Sequence, residues 1–430
     1  MTPLAPGTQV LPGPRPPGRG FLDPGLAYLL ASLSRSLGGR WVFPLRDSQP
    51  AEISREAFLK LVDRHRLAPI LAQQAPGPSD EMVPPSDLLP EGTPEAIRSR
   101  AERNRYRALK LLSLTLQVTE ILGEGGVENL PLKGPLLALR IHGDLSRRHA
   151  GDMDLLVLPE AVPEADRILR QEGFRRVSPG VTLTRRQTRT IRNYGNHYVY
   201  VLPEDRVSLE LHWSLFPRTD WMDESPADLW RRGVDQEVGG RRVRVLSPED
   251  ELRFLCVHGA KHAWCRLFWL YDIASWISNG RPGGHEDPLT ILSSLPERQV
   301  AAQTLLLCRD LLGLAVPEAP QLSRFEARTV DFLTRTAVRT ISRPWPAPYP
   351  QRLRLLMTYR SRLTRGISSW SQTLRRLLFC PADWEIVRLP DRFFFLYFFL
   401  RPFLWFYRRL VSPRALDGTG VKPSNSRRQP

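Results

Sequence analysis

Leu132-Lys133-Gly134 and, after a short interval, Gly151-Asp152-Met153-Asp154-Leu155-Leu156-Val157-Leu158 decide how the chain is read. The second stretch runs from two carboxylates straight into apolar residues, which predicts a buried strand. On a strand, residues i and i+2 point to one face. Asp152 and Asp154 then share a face, while Met153 and Leu155 take the other. Two anions held so close repel, and a fold keeps such a pair when a cation lies between them. For hard oxygen ligands the natural cation is Mg²⁺, with Mn²⁺ as its neighbour in chemistry.

Outward from this stretch, the periodicity predicts helices on one side and a small sheet on the other. Leu22 to Leu37 and Ser54 to Val62 read as helices, with Ser54 placed to cap the second. The Pro-rich run Ala75 to Pro94 reads as a loop. Glu95 to Leu122 reads as a long helix, because Leu111, Leu114, Val118 and Ile121 recur at steps of three or four. A strand over Asn129 to Leu132 leads into the Lys-Gly turn and a helix starting near Pro135. Pro163 to Glu172 is a further helix. Asn196 to Leu202 and Arg206 to Trp213 form a hairpin around Pro203-Glu204-Asp205. From Leu246 onward the pattern is helical, with segments around Phe254 to Trp264, Phe268 to Ile277, Glu297 to Leu312 and Phe325 to Thr340. The fold class is therefore α+β: a small mixed β-sheet core with flanking helices and a helical C-terminal domain.

The chain has 430 residues, enough for two or three domains, with 42% hydrophobic and 25% charged residues. Its net charge of +16 is unevenly spread, since residues 321–430 hold 21 Lys and Arg against 6 Asp and Glu. The basic character thus belongs to the C-terminal quarter and not to the Asp-Met-Asp region. Arginine carries nearly all of it, and Lys133 is one of only five lysines. Cys256, Cys265, Cys308 and Cys380 are dispersed without a CxxC, which fits reduced thiols in a cytoplasmic protein. Residues 1–20 are rich in Pro and Gly and lack the apolar core of a signal peptide, so they read as a disordered lead.

Glu210, in Ser208-Leu209-Glu210-Leu211-His212-Trp213, is the best third carboxylate. It sits between two leucines on a predicted strand and shares its polar face with His212. A two-metal site for nucleotidyl transfer uses three such carboxylates around ions that polarise the attacking hydroxyl and the leaving pyrophosphate. Lys133 and Gly134 open onto a helix whose first N–H groups suit a phosphate oxygen. Arg148, four residues before Asp152, is placed to reach a triphosphate. His258 and His262 have the i, i+4 spacing of a zinc pair, but Gly259 stands where HExxH has Glu and no third ligand is evident. Lys261, His262 and Asp272 are better read as cleft residues contacting a ligand, against a reading as packed polar groups. His197, on the hairpin, reads equally as a cleft or a surface residue.

The order LKG, RRHAGDMDLLV, LELHW, HGAKHAW and RLFWLYDI resembles a family of bacterial nucleotidyltransferases within the DNA polymerase beta-like superfamily, over roughly Phe21 to Arg409. The resemblance implies Mg²⁺-dependent transfer of a nucleoside monophosphate from a nucleoside triphosphate to an acceptor hydroxyl that the sequence does not name, in a peptide or polysaccharide pathway. It implies that Asp152, Asp154 and Glu210 are the catalytic, metal-binding set. Lys133 and Gly134 stand where the wider superfamily has a Gly-Ser turn, so a longer cation replaces a hydroxyl. A second reading is a non-catalytic member that binds a nucleotide or acts as a membrane-associated scaffold.

The expected domains are the lead, a helical region over 21–128, a nucleotidyltransferase core over 129–246, a helical domain over 247–345 and a basic helical end over 346–430. Within the last, Phe393 to Tyr407 is the most apolar stretch. It is too short for a membrane span, which takes about 20 residues, and Arg401-Pro402 interrupts it. Aromatics flanked by arginines, from Arg352 to Arg376 upstream and at Arg408-Arg409 downstream, suit the surface of an anionic membrane. They place the protein at the inner face as a peripheral component. The alternative is a last helix packed on the core. The aromatics form one block, which argues against a nucleic-acid groove.

Overall fold

The computed structural model describes residues 23–39, 53–73, 89–217, 222, 224–279, 287–316, 322–343, 349–363 and 380–411. The expected lead over 1–20, the Pro-rich run over 75–88, the Arg-rich run over 364–376 and the tail after 411 lie outside the described residues. The chain forms two compact units. One draws on residues 1–108, 138–149 and 248–364, the other on 109–137, 150–247 and 365–430.

The second unit holds the sheet. Its strands are β1 (Asn129–Leu132), β2 (Met153–Val157), β3 (Arg175–Ser178), β4 (His197–Leu202) and β5 (Val207–His212), in the order β1-β2-β5-β4-β3. Only β2 and β5 run parallel. Alternation sorts the side chains as the sequence predicts. Met153, Leu155, Leu209, Leu211, Tyr198 and Tyr200 share one face, and all are buried. Each fully buried leucine contributes about 2 kcal/mol to folding. Tyr200 donates a 2.6 Å hydrogen bond to Asp166 on the Val162–Gln171 helix, which ties that helix to this face. The opposite face carries Asp154, Glu210, His212 and His197.

The expected mixed sheet and helical remainder are both present, and among the strands two pieces go beyond the sequence expectation. β3 is a half-exposed edge strand, Arg-Arg-Val-Ser, with no hydrophobic alternation to mark it. A separate hairpin, β6 (Val234–Val238) and β7 (Arg241–Val245), closes at Gly239-Gly240, both with positive φ. Val243 and Val245 of this hairpin form a small core with Leu136, against which Leu112 and Leu116 pack.

The C-terminal segment is anchored within the same unit. Glu385 Oε1 accepts from the Gly180 N–H at 2.8 Å. Asp391 accepts from the Thr184 hydroxyl and, at 3.2 Å, from the Arg186 N–H. Thr184 is itself the N-cap of the Arg185–Tyr194 helix, in a capping box with Gln187. The final helix, Leu396–Val411, presents two different faces. Tyr397 and Leu404 are buried, and Arg401 and Arg408 pair with the buried carboxylate of Asp383. Phe395, Phe399, Phe403, Phe406 and Leu410 stay exposed. None of the described helices is long and apolar enough to cross a membrane.

Among the described residues, the regular elements of the first unit are helices. Its Pro248–Lys261 helix ends in His258-Gly259-Ala260-Lys261-His262-Ala263-Trp264, and the ending has a mechanical cause. Ala263 and Trp264 take left-handed backbone angles, and the Trp264 N–H returns to the Gly259 carbonyl at 2.9 Å. This is a helix-terminating turn in which the indole folds under residue 259. A methyl group on residue 259 would overlap the Trp264 ring. Glycine stands in the motif because no side chain fits there. Gly259→Ala is expected to lower the unfolding free energy by about 1–3 kcal/mol, the usual cost of overpacking, as read by urea denaturation.

Candidate functional site

The site is assembled by strand register in the second unit. Asp154 on β2 is the direct partner of Glu210 on β5, and β5 has a neighbour on each side. Leu132, the last residue of β1, is the partner of Asp154. Lys133 therefore leaves the sheet edge close to the carboxylates, and its charge acts on Glu210. Lys133 and Gly134 both have positive φ, 55° and 64°. For lysine that is an uncommon backbone, and it stands directly before the Gly134–His142 helix. Asp152 stands immediately before β2 and is half-buried.

His212 lies two residues beyond Glu210 on the same face. Its Nε2 is 3.2 Å from Glu210 Oε2 and 3.3 Å from Asp154 Oδ1, so the ring bridges the two carboxylates. His197 is the cross-strand partner of His212, with ring centroids 4.9 Å apart. Its Nε2 is 3.9 Å from Glu210 Oε2. Asn196 joins the two rings. Its Nδ2 is 3.1 Å from His212 Nδ1, and its Oδ1 is 3.0 Å from His197 Nδ1.

The electrostatics follow from this crowding. Burial pushes the Glu210 pKa up, but the hydrogen bond and charge of His212, with the charges of His197 and Lys133, outweigh it and hold Glu210 below the usual carboxylate range. Burial opposes charge on His212, and its hydrogen bonds to Asp154 and Glu210 overcome that, raising its pKa. The anionic pair thus has the charge of Lys133 nearby and the hydrogen-bonding ring of His212 between its members. Glu210, its strand partner Asp154 and the His197 imidazole offer oxygen and nitrogen donors of the kind that suit a divalent cation. Among the described residues, His197, Glu210 and His212 are the group of metal-type donors whose ligand atoms lie within 4.8 Å of one another. An open cavity of about 990 Å³ adjoins the ends of these strands, lined by Trp213, Gly195, Leu158, Arg185, Arg189 and Arg192.

Of the residues singled out by sequence, Lys133, Gly134, Asp152, Asp154, His197 and Glu210 lie in this unit. Arg148, Lys261, His262 and Asp272 lie in the other. There Arg148 Nε donates to Asp272 Oδ2 at 2.8 Å, and both side chains are buried. His142 Nε2 is 3.4 Å from the second oxygen of Asp272. The Arg148 guanidinium also lies 5.4 Å from the Phe268 ring centroid. His262 packs with His258 and Trp269 at ring separations of 4.8 and 5.3 Å. Lys261 is the last residue of its helix. The alternation Glu210-Leu211-His212 places His212 on the face of Glu210, whereas no local pattern in the sequence marks Asn196.

Removing one partner of a buried ion pair strands the other. Asp272→Ala is expected to cost about 3–5 kcal/mol of stability in urea unfolding, while Arg148→Met combined with Asp272→Leu recovers most of that loss.

Residues 51–313 match the model of a family described as an uncharacterised nucleotidyltransferase. No curated protein and no solved structure matches the chain. The match takes in the Lys-Gly turn, the Asp-Met-Asp strand and Glu210 in their order along the chain, and the chain belongs to this nucleotidyltransferase family.

Proposed function

We propose that the second unit carries a metal-dependent nucleotidyl transfer site. The observation that carries this reading is the register of Asp154 opposite Glu210, two carboxylates on adjacent strands with Asp152 one step away. These three residues hold the cation, Mg²⁺ or Mn²⁺. Once bound, the cation would polarise the acceptor hydroxyl and the α-phosphate and offset charge on the departing pyrophosphate. Lys133, with Gly134 beside it, meets the triphosphate as a point charge where a hydroxyl stands in the wider superfamily. In the transfer, the acceptor oxygen bonds the α-phosphorus, the bond to pyrophosphate breaks, and the acceptor proton passes to the carboxylate cluster. The acceptor is a hydroxyl compound. The paired geometry of Arg148 and Asp272 favours a part in holding the first unit together. For Lys261 and His262 a ligand contact remains the proposal drawn from their sequence order.

The test is binding and turnover of labelled nucleoside triphosphates with and without Mg²⁺. Asp152→Asn and Asp154→Asn are each expected to weaken the metal-dependent binding at least about tenfold, or about 1.4 kcal/mol, and to abolish turnover. Binding indifferent to both metal and substitution would instead identify a non-catalytic nucleotide-binding member.

A second reading concerns attachment. On the Leu396–Val411 helix, Phe399 is 62%, Phe403 72%, Phe406 61% and Leu410 79% exposed, along one stripe. Such a stripe, in the most basic quarter of the chain, suits the interface of an anionic bilayer at the inner face of the membrane. Arg401 and Arg408 are engaged by Asp383, so burial of the aromatics would supply most of the binding. Affinity for vesicles containing phosphatidylserine, read by co-sedimentation, is expected to fall about a hundredfold or more when Phe399, Phe403 and Phe406 are changed together to Ser, at roughly 1 kcal/mol or more per ring. Unchanged co-sedimentation would rule the attachment out.

A further inference from the structure

Asn196 fixes the proton positions of both histidines at the site. Its Nδ2 lies 3.3 Å from the Ser214 carbonyl oxygen and 3.4 Å from that of Leu215. Both are acceptors only, so the amide nitrogen must face them and the amide cannot be turned over. Its Oδ1 therefore faces His197 Nδ1, 3.0 Å away, and accepts the Nδ1–H. In the neutral ring this leaves the lone pair on His197 Nε2, the atom directed toward Glu210 at 3.9 Å. The same amide donates to His212 Nδ1 at 3.1 Å. The neutral His212 ring then carries its proton on Nε2 and donates to Asp154 and Glu210. One side chain thus gives two adjacent imidazoles opposite characters: His197 a nitrogen donor to a metal, His212 an N–H donor to carboxylates.

We propose that His197 Nε2 is a ligand of the divalent cation bound by Glu210, oriented by Asn196, and that the site consequently selects Mn²⁺ over Mg²⁺. This rests on the carboxylate reading above and deepens it by naming the metal. Metal–ligand bonds of about 2.0–2.2 Å put neighbouring ligand atoms roughly 3 Å apart at a right angle and about 3.5 Å apart in a tetrahedron. The separation of His197 Nε2 from Glu210 Oε2 is within an ångström of either value. The His197 side chain is 34% exposed, so an ion and its waters have access. Magnesium demands oxygen ligands and near-ideal octahedral geometry, whereas imidazole raises the affinity of the later first-row ions. A hydrogen bond to the far ring nitrogen is the usual means of orienting a metal-binding histidine. Asn196 is 7% exposed, so the amide is held inside the fold.

The probe is Mn²⁺ alone on the full chain, followed by pulsed electron paramagnetic resonance. Wild type is expected to show modulation from one directly bound imidazole ¹⁴N, replaced by a ¹⁵N pattern in protein grown on ¹⁵N-histidine. His197→Gln is expected to lose that coupling and to weaken Mn²⁺ about 10- to 100-fold, with Mg²⁺ changed less than about threefold. Asn196→Leu should weaken Mn²⁺ in the same direction while Glu210 and His197 are intact. Tight Mn²⁺ binding that depends on Asp154 but shows no nitrogen coupling would overturn the proposal and leave the carboxylate reading standing. Failure of wild type to bind Mn²⁺ at all would overturn both. The nitrogen coupling is read on wild type, so misfolding of a variant does not obscure the result.

Discussion

Asp154 and Glu210 sit side by side on parallel strands of one sheet, and much of the second unit answers the repulsion between them. Adjacent strands are about 4.8 Å apart, and two carboxylates at that distance repel by about 3 kcal/mol at an effective dielectric constant near 20. The protein meets this with an imidazole directly between the anions and a lysine at the end of the neighbouring strand. The apolar face of the same strands, with Leu155, Leu209 and Leu211 fully buried, prevents a slip of register that would part the pair. Packing on one face thus maintains electrostatic tension on the other. A cation bound there, as proposed, would release that tension, which links the packing of the core to the candidate chemistry.

Much of this was legible in the sequence because period-2 alternation and carboxylate spacing are local properties. The Asp-Met-Asp strand, the LELHW strand and its hairpin partner have the expected order, and register follows once β2 and β5 are paired. Most of what the sequence does not mark is unpatterned or non-local. The edge strand β3 buries too little to leave a hydrophobic signature. The β6-β7 hairpin is the exception, with valines spaced around Gly239-Gly240. Asn196 could not be picked out, because its meaning comes from four partners, three of them well downstream on β5 and beyond it. In HGAKHAW the spacing of the histidines is visible in the sequence, while the shape of the motif comes from an indole beneath a glycine, a contact that the spacing does not announce.

The two arginines inside the last apolar stretch carry a similar lesson. In sequence, Arg401 and Arg408 read as charges beside aromatics. In the fold both turn inward to one buried aspartate, seven residues apart on a single helix face. That pairing fixes which way the helix faces, and the aromatic stripe is exposed as a result. The net charge of the region overstates how much of it faces outward.

The alternation of the chain between its two units has a consequence for synthesis. The sheet strands are complete once residue 212 has been made, yet the segment over 380–411 arrives only after residues 248–364 have been laid down for the other unit. Until then the Gly180 and Arg186 amides and the Thr184 hydroxyl lack the partners that Glu385 and Asp391 later provide. Units usually complete in the order in which their residues leave the ribosome. Here the unit bearing the carboxylates is the last to close. A nascent chain interrupted between residues 212 and 391 carries every residue of the candidate site on a scaffold that still lacks these contacts.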